Sequence, residues 1–324
     1  VVDLIYIAFV YLGCDISRSH LFTANCQSAS NFPAGTAALS GRPRDFTSWN
    51  KQKGVIMEQH YLQSLFSLEG KTILITGAAG GIGAAISRGL AQAGGEVALC
   101  GRTLETCQAM AEDIRAGGGT ADAFRLDVAD MESIQPCIDE VVRRFGKIDA
   151  LFNVAGINRR EGLLDVEEET YDRIMDTNLK GLFFVSQRVA REMYKRRCGS
   201  IVNIGSHNDE GMLGGCSVYG AAKSGVIALT RSMAVEFAQY GIRCNAISPG
   251  HILTDLTKVT WEHPTRAPWL RQRIAMERPG TPEELVGMAI LLASDASSYM
   301  TGQAYHIDGG CLCGGAPWDY DTKY

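Results

Sequence analysis

Several protein classes are excluded by what this chain lacks. It is 324 residues long and carries only six histidines, none paired with another at a metal-binding spacing. Its ten cysteines are scattered over Cys14, Cys26, Cys100, Cys107, Cys137, Cys198, Cys216, Cys244, Cys311 and Cys313. None forms Cys-x-x-Cys, so neither a metal site nor a small disulfide scaffold is expected. Cys100 and Cys244 sit in apolar runs, where cysteine acts as a small hydrophobe. Excess basic charge is also missing. The net charge of −5, with acidic residues dispersed, argues against nucleic-acid or anionic-membrane partners, which need a basic face. The early apolar run Val1–Leu12 is too short to span a bilayer.

What remains is ordinary for one large α/β domain: 46% hydrophobic and 21% charged residues. Residues 1–65 read differently from the rest. Positions 13–53 are rich in Ser, Asn, Gly, Pro and Arg without sustained period, the composition of a disordered segment. Two accounts compete for this extension. One is a targeting segment, although no basic residue precedes the apolar run. The other, which is our expectation, places the natural start at Met57 and the working domain at residues 66–324. A cytoplasmic location follows from that expectation, with targeting by the extension as its rival.

The most informative feature is the triplet Ser206, Tyr219 and Lys223. Tyr219 and Lys223 are four apart, so one helix face carries both. A free phenol titrates near ~10 and exchanges protons poorly at neutral pH. A neighbouring ammonium favours the phenolate and lowers that value. A hydroxyl from Ser206 then holds an oxygen against the phenol, which equips the three for proton transfer at a carbinol oxygen. Taken alone, Tyr-x-x-x-Lys reads more readily as a surface phenol beside a solvated lysine. Cys216, three residues before Tyr219, is a candidate for oxidation that would block the site.

A hydride carrier's site changes the balance. Thr72 to Thr76 is a short β-branched run; Gly77, Gly81 and Gly83 follow; then Ile82, Ala85, Ile86, Gly89 and Leu90 recur at helical spacing. A strand, a glycine-rich turn and a helix start cradle a pyrophosphate on backbone N–H groups. The spacing is Thr-Gly-x-x-x-Gly-Ile-Gly, not the usual Gly-x-Gly-x-x-Gly, since Ile86 stands where a third glycine would fall. Further strands are expected over 96–100, 121–128, 148–154, 200–205, 243–248 and 303–307. One long helical stretch is expected over 170–195. Alternating apolar strands and helices predict a doubly wound, mostly parallel seven-stranded sheet of Rossmann type in a single domain. Gly77, Asp127, Asn153, Ser206 and Pro249 then all fall at carboxyl ends of strands, where such folds bind ligands.

In order along residues 66–315, these motifs resemble the short-chain dehydrogenase/reductases. Thr76–Gly83 is similar to their cofactor turn, and Leu126-Asp127-Val128 to the adenine-side strand end. Asn153-Val154-Ala155-Gly156 is similar to their Asn-Asn-Ala-Gly, with valine for the second asparagine. Asn178, Ser206, Tyr219 and Lys223 match the catalytic tetrad, and Pro249 to Thr254 the segment along the nicotinamide. The resemblance implies that Tyr219 exchanges the proton and that Lys223 also holds the nicotinamide ribose. It implies that Asn178 positions a water, and that Gly250, Ile252 and Thr254 line the nicotinamide side. It further implies a homo-oligomer, dimer or tetramer, built on the long helices.

Gly101 stands where an NAD-preferring strand end carries an acid, and Arg102 follows it. A forked guanidinium suits a 2′-phosphate, so NADP is expected, with NAD as the alternative. A small molecule is the expected substrate. Candidate substrate residues are Ser206, His207, His251 and Arg159, under a lid formed by 255–280. Gly156-Ile157-Asn158-Arg159-Arg160 and the tail Gly314–Trp318 resemble members acting on sugar acids, of gluconate 5-dehydrogenase and 2-deoxy-gluconate 3-dehydrogenase type. Alternatives are a 3-oxoacyl-thioester or other carbonyl reductase, or a non-catalytic dinucleotide-binding scaffold on the same fold.

Overall fold

A computed structural model describes residues 61–315. Most of the expected N-terminal extension, Met57 included, and the tail from residue 316 lie outside the described residues. Residues 61–66, the end of that extension and start of the domain, are helical.

Seven strands make one sheet in the order β3-β2-β1-β4-β5-β6-β7, and every pairing is parallel. They are β1 (Thr72–Thr76), β2 (Glu96–Gly101), β3 (Thr120–Arg125), β4 (Ala150–Asn153), β5 (Gly199–Ile204), β6 (Ile242–Pro249) and β7 (Ala304–Ile307). The helices α1 (Gly81–Gln92), α2 (Leu104–Ala116) and α3 (Met131–Phe145) serve one half. The other half uses α4 (Glu168–Met175), α5 (Leu182–Arg196), α6 (Ser217–Phe237), the short α7 (Asp255–Trp261) and α8 (Arg266–Arg271), and α9 (Val286–Ala293).

Strand alternation sorts the core onto two faces. Ile73, Ile75, Val97 and Leu99 meet Ile86 and Leu90 of α1 and Leu285 and Leu292 around α9. Leu74, Ala98 and Cys100 turn the other way, onto Ile134, Ile138 and Val141 of α3 and Val185 and Val189 of α5. The buried Ile134, Cys137, Ile138 and Val141 recur at helical spacing, which is why this segment docks as a helix. Asp130 caps its start, accepting from the Glu132 N–H at 3.0 Å, and Gly146 at φ 80° ends it. Among the described residues, no helix is long and apolar enough to cross a membrane.

Two strands stop sooner than their apolar runs predict. The third ends at Arg125 and the fourth at Asn153, so Leu126–Val128 and Val154–Gly156 leave the sheet as loops. The expected single helix over 170–195 is interrupted by a π-helical turn, Asp176–Gly181. A Cβ on Gly181 would run into the Val128 carbonyl oxygen, so close passage of a strand-end loop requires glycine there. Wide turns of this kind cluster where a helix must present a side chain out of register. Here that side chain is Asn178.

Candidate functional site

The sheet's order reverses between β1 and β4, and the glycine turn opens at that point. Gly77 adopts φ 64°, and a Cβ on it would lie 2.8 Å from the Ala155 Cα. Thr76 staples the facing loop, its Oγ1 accepting from the Val154 N–H at 3.1 Å and the Ala155 N–H at 3.2 Å. A Cβ on Gly83 would strike the Gly77 carbonyl oxygen, and one on Gly81 would sit 2.8 Å from Thr254 Cγ2. The amino end of α1 therefore faces open space with no side chain of its own in the way, an anion cradle.

That space is a cavity of about 560 Å³. Of the expected cofactor residues, it gathers Gly77, Gly81, Ile82, Gly83, Arg102, Asp127, Val128, Ala155, Gly156 and Thr254. Six expected residues do not line it: Tyr219 and Lys223 stand past its end, and the other four lie in the sheet and its loops. Asn153 is buried in the sheet, donating to Ser186 Oγ at 2.8 Å and Asn203 Oδ1 at 2.9 Å, so its side chain ties β4 to β5 and α5. Pro249 closes β6, Gly250 abuts the Asp308 backbone, and buried Ile252 bridges to Gly280. Arg102 is exposed at the cavity rim. A Cβ on Gly101 would lie 2.8 Å from Cys107 Sγ, so a side chain there needs the thiol to swing aside.

Ser206, Tyr219 and Lys223 converge past the end of this cavity. Gly156 makes the junction: a Cβ on it would be 3.3 Å from Asn178 Oδ1 and 3.7 Å from Lys223 Nζ. The Lys223 Nζ stands 5.7 Å from the Tyr219 ring centroid and donates to the Ile204 carbonyl at 2.6 Å. Asn178 is fully buried and brackets one residue, accepting from the Ile157 N–H and donating to the Ile157 carbonyl, both at 2.8 Å. Its side chain thus fixes the loop beside Lys223, a role not foreseen from its resemblance to a water-holding asparagine.

The expectation of a phenol lowered by its ammonium is not met in this state. Burial pushes Tyr219 upward, ahead of the Ser206 hydroxyl, which pulls it down. Burial also lowers the Lys223 ammonium to about 8, with the Asp209 carboxylate opposing. Desolvation outweighs pairing because Lys223 is directed at a neutral carbonyl. The stability consequence has a definite sign. Between pH 8 and 10.5 the unfolded lysine holds a proton that the folded one has released, so stability rises with pH across that window. Lys223→Met abolishes this titration. The variant is expected to be favoured over wild type below the window, and to lose about 3 kcal/mol of that relative advantage across it. Urea unfolding across the same alkaline range measures the gap; a constant gap would contradict the burial argument.

Around the triplet, the structure partly rearranges the expected substrate residues. Ser206 and His207 are buried, and His207 Nδ1 meets the Pro249 carbonyl at 3.3 Å. The His207 and His251 rings pack 4.6 Å apart, and Trp261 of α7 lies edge-on to His251 at 6.2 Å. Arg159 is exposed and paired with Glu161. Arg160 is exposed as well, yet it donates to Thr260 Oγ1 at 3.3 Å and lines a second cavity of about 480 Å³ with Glu161, Arg266 and Trp269. The expected lid segment, 255–280, carries the two short helices α7 and α8. Cys216 is buried against Asn158, which removes the access that oxidation needs.

Asp209 was not foreseen from the sequence. Its nearly buried carboxylate accepts from Ser248 Oγ at 2.6 Å and meets His306 Nε2 at 2.9 Å. No local signal separates it from its exposed neighbour Glu210; only the crossing of β6 and β7 does.

A family model described as Enoyl-(Acyl carrier protein) reductase matches residues 77–311. Gluconate 5-dehydrogenase of Gluconobacter oxydans is 39% identical over 246 residues, 76% of this chain and 96% of that protein. This chain belongs to the short-chain dehydrogenase/reductase family. A second member, 3-oxoacyl-(acyl-carrier-protein) reductase FabG of Thermotoga maritima, is 41% identical over 76% of this chain and 99% of its own length. Among solved structures of such dehydrogenases, a gluconate 5-dehydrogenase from Burkholderia cenocepacia, in complex with NADP and tartrate, matches with TM-score 0.76. It is 38% identical and the match covers 78% of this chain and 99% of that one.

Proposed function

We propose that this chain is an NADP(H)-dependent oxidoreductase of a secondary alcohol or ketone in a sugar acid. The observation that carries the reading is the junction at Gly156, where the glycine-cradled cavity runs into Lys223, Tyr219 and Ser206. NADP fits the residues present. Gly77, Gly81 and Gly83 put no Cβ in the way of a pyrophosphate, Arg102 stands at the rim, and Cys107 Sγ crowds any side chain at Gly101. When bound, the nucleotide supplies or accepts the hydride.

The chain's own residues do the rest. Ser206 and Tyr219 hold the substrate oxygen, and Tyr219 gives or takes its proton. Lys223 turns from the Ile204 carbonyl toward the phenol and the nucleotide ribose, which restores the pairing that lowers the phenol. Asn178 keeps the Ile157 loop in place behind it. Arg160 and Arg266, rather than Arg159, are the cations facing the lid-side cavity, and they suit a carboxylate of the substrate. Tartrate, a hydroxylated acid, accompanies NADP in the Burkholderia relative, which supports the same substrate class. The working form is a homo-oligomer, with Tyr171 exposed on α4 and Val235 on the long α6.

A second reading, 3-oxoacyl-thioester reduction, is favoured by the 41% identity to the Thermotoga protein. A panel of gluconate, ketogluconates, polyols and a 3-oxoacyl thioester, read at the nicotinamide absorbance with NADPH and NADH, separates the two. Turnover confined to the thioester would overturn the sugar-acid reading. Arg102→Ala is expected to raise the KM for NADP by ~10–100-fold, the worth of charge-assisted hydrogen bonds, with little change for NAD. Equal shifts for both nucleotides would refute the assignment.

A further inference from the structure

We propose that His207, His251 and Cys311 form a site for a divalent transition-metal ion of the zinc type. These three lie on separate segments: the loop after Ser206, the turn after β6, and the turn after β7. Their separation in sequence hides the cluster from any spacing motif, which is why no metal site is expected from sequence. The fold brings one donor atom from each within 4.8 Å of the others. Tetrahedral zinc, at about 2.1 Å from nitrogen and 2.3 Å from sulfur, holds its donors roughly 3.5 Å apart, so a small contraction closes the site.

The two imidazoles are presented in a form suited to coordination, whereas burial and Asp308 push the Cys311 thiol up, so the ion itself must drive its deprotonation. A carbonyl only accepts, so the 3.3 Å contact of His207 Nδ1 with the Pro249 oxygen puts the proton on Nδ1 and leaves Nε2 with a free lone pair. His251 is fixed by ring contacts with His207 and Trp261. Burial, the first cause in each case, lowers both imidazoles, His251 to about 4, so both are neutral at physiological pH. Cys311 is held by a tight turn in which Asp308 accepts from the Gly310 N–H at 2.9 Å and the Leu312 N–H at 2.8 Å. Leu312 packs on Gly211, so this turn is seated against the His207 loop. Asp308 favours positive charge at both histidines; Arg160, near His251, opposes it. Binding displaces the Cys311 thiol proton to solvent and leaves a fourth coordination position for water. The inference does not depend on the nucleotide or the substrate.

Cobalt(II) titration of the purified full chain tests it. One cobalt per chain is expected, with a near-ultraviolet thiolate-to-cobalt band and visible bands of tetrahedral strength, all displaced by zinc. Cys311→Ser should remove the thiolate band, while Cys313→Ser should keep it. His207→Gln and His251→Gln should each weaken cobalt binding by at least ~10-fold. Zinc should also shield Cys311 of the unmodified chain from iodoacetamide, read by peptide mass spectrometry, which tests the site without any variant. Saturation without a thiolate band, a band that survives Cys311→Ser, or equal alkylation with and without zinc would overturn the proposal.

Discussion

Tyr219→Phe is expected to lower kcat by ~10²–10⁴-fold, the range for a positioned proton donor or acceptor, while NADPH binding persists. The separation is physical. The cavity of about 560 Å³ that would take the nucleotide is not lined by Tyr219, and the phenol reaches it only by way of Lys223 and Gly156. Removing one oxygen from a ring that already packs near Lys223 leaves the ring's own contacts in place. Steady-state turnover with gluconate or its keto acid, and NADPH binding by fluorescence, would read the two halves independently. Activity retained by the phenylalanine variant would remove Tyr219 from the chemistry; loss of NADPH binding would place it in the cradle instead.

Gly83→Ala is expected to act at the other half. The added methyl has nowhere to go, because the Gly77 carbonyl occupies its position and belongs to a backbone pinned at φ 64° between β1 and the Thr76 staple. Overpacking of this kind costs about 1–3 kcal/mol. Taken out of nucleotide binding, its upper end is a loss of ~100-fold in NADPH affinity. Calorimetric titration with NADPH, alongside circular dichroism to confirm folding, reads the effect. A folded alanine variant with wild-type affinity would show that the turn does not hold the nucleotide.

The sheet and most of its strands were legible in the sequence because a parallel strand buried on both faces is a continuous apolar run. Strand ends were less so. Leu126 and Val128 are as apolar as the residues before them, yet they leave the ladder, since apolarity reports burial and not hydrogen bonding. The helix Val286–Ala293 was not foreseen: it is so uniformly apolar that no amphipathic stripe marks it. The π-helical turn at Asn178 was hidden for another reason, since it follows from contacts to Ile157 and Val128 made across the fold.

The candidate site divides in the same way. Glycines of the turn were readable because steric demand at a tight turn selects residue type directly. Tyr219 and Lys223 were readable because one helix carries both. Asn153 misled, since an asparagine at a strand end serves equally to pin strands together, and only the positions of Ser186 and Asn203 reveal which. Arg159 and Arg160 are adjacent and chemically identical; backbone direction alone decides that one meets Glu161 and the other the lid. Asp209 and Cys311 acquire their neighbours from three crossing segments each, beyond the reach of local pattern.

The sulfur of Cys107 beneath Gly101 bears on how nucleotide preference can drift in this lineage. A carboxylate at the strand tip, which would favour the unphosphorylated dinucleotide, can be seated only once the thiol swings aside or shrinks. Shrinking the thiol first would open the way at little cost in packing. Nucleotide preference at this tip is therefore set jointly by positions 101 and 107, and an acidic substitution at the first is eased by a smaller side chain at the second.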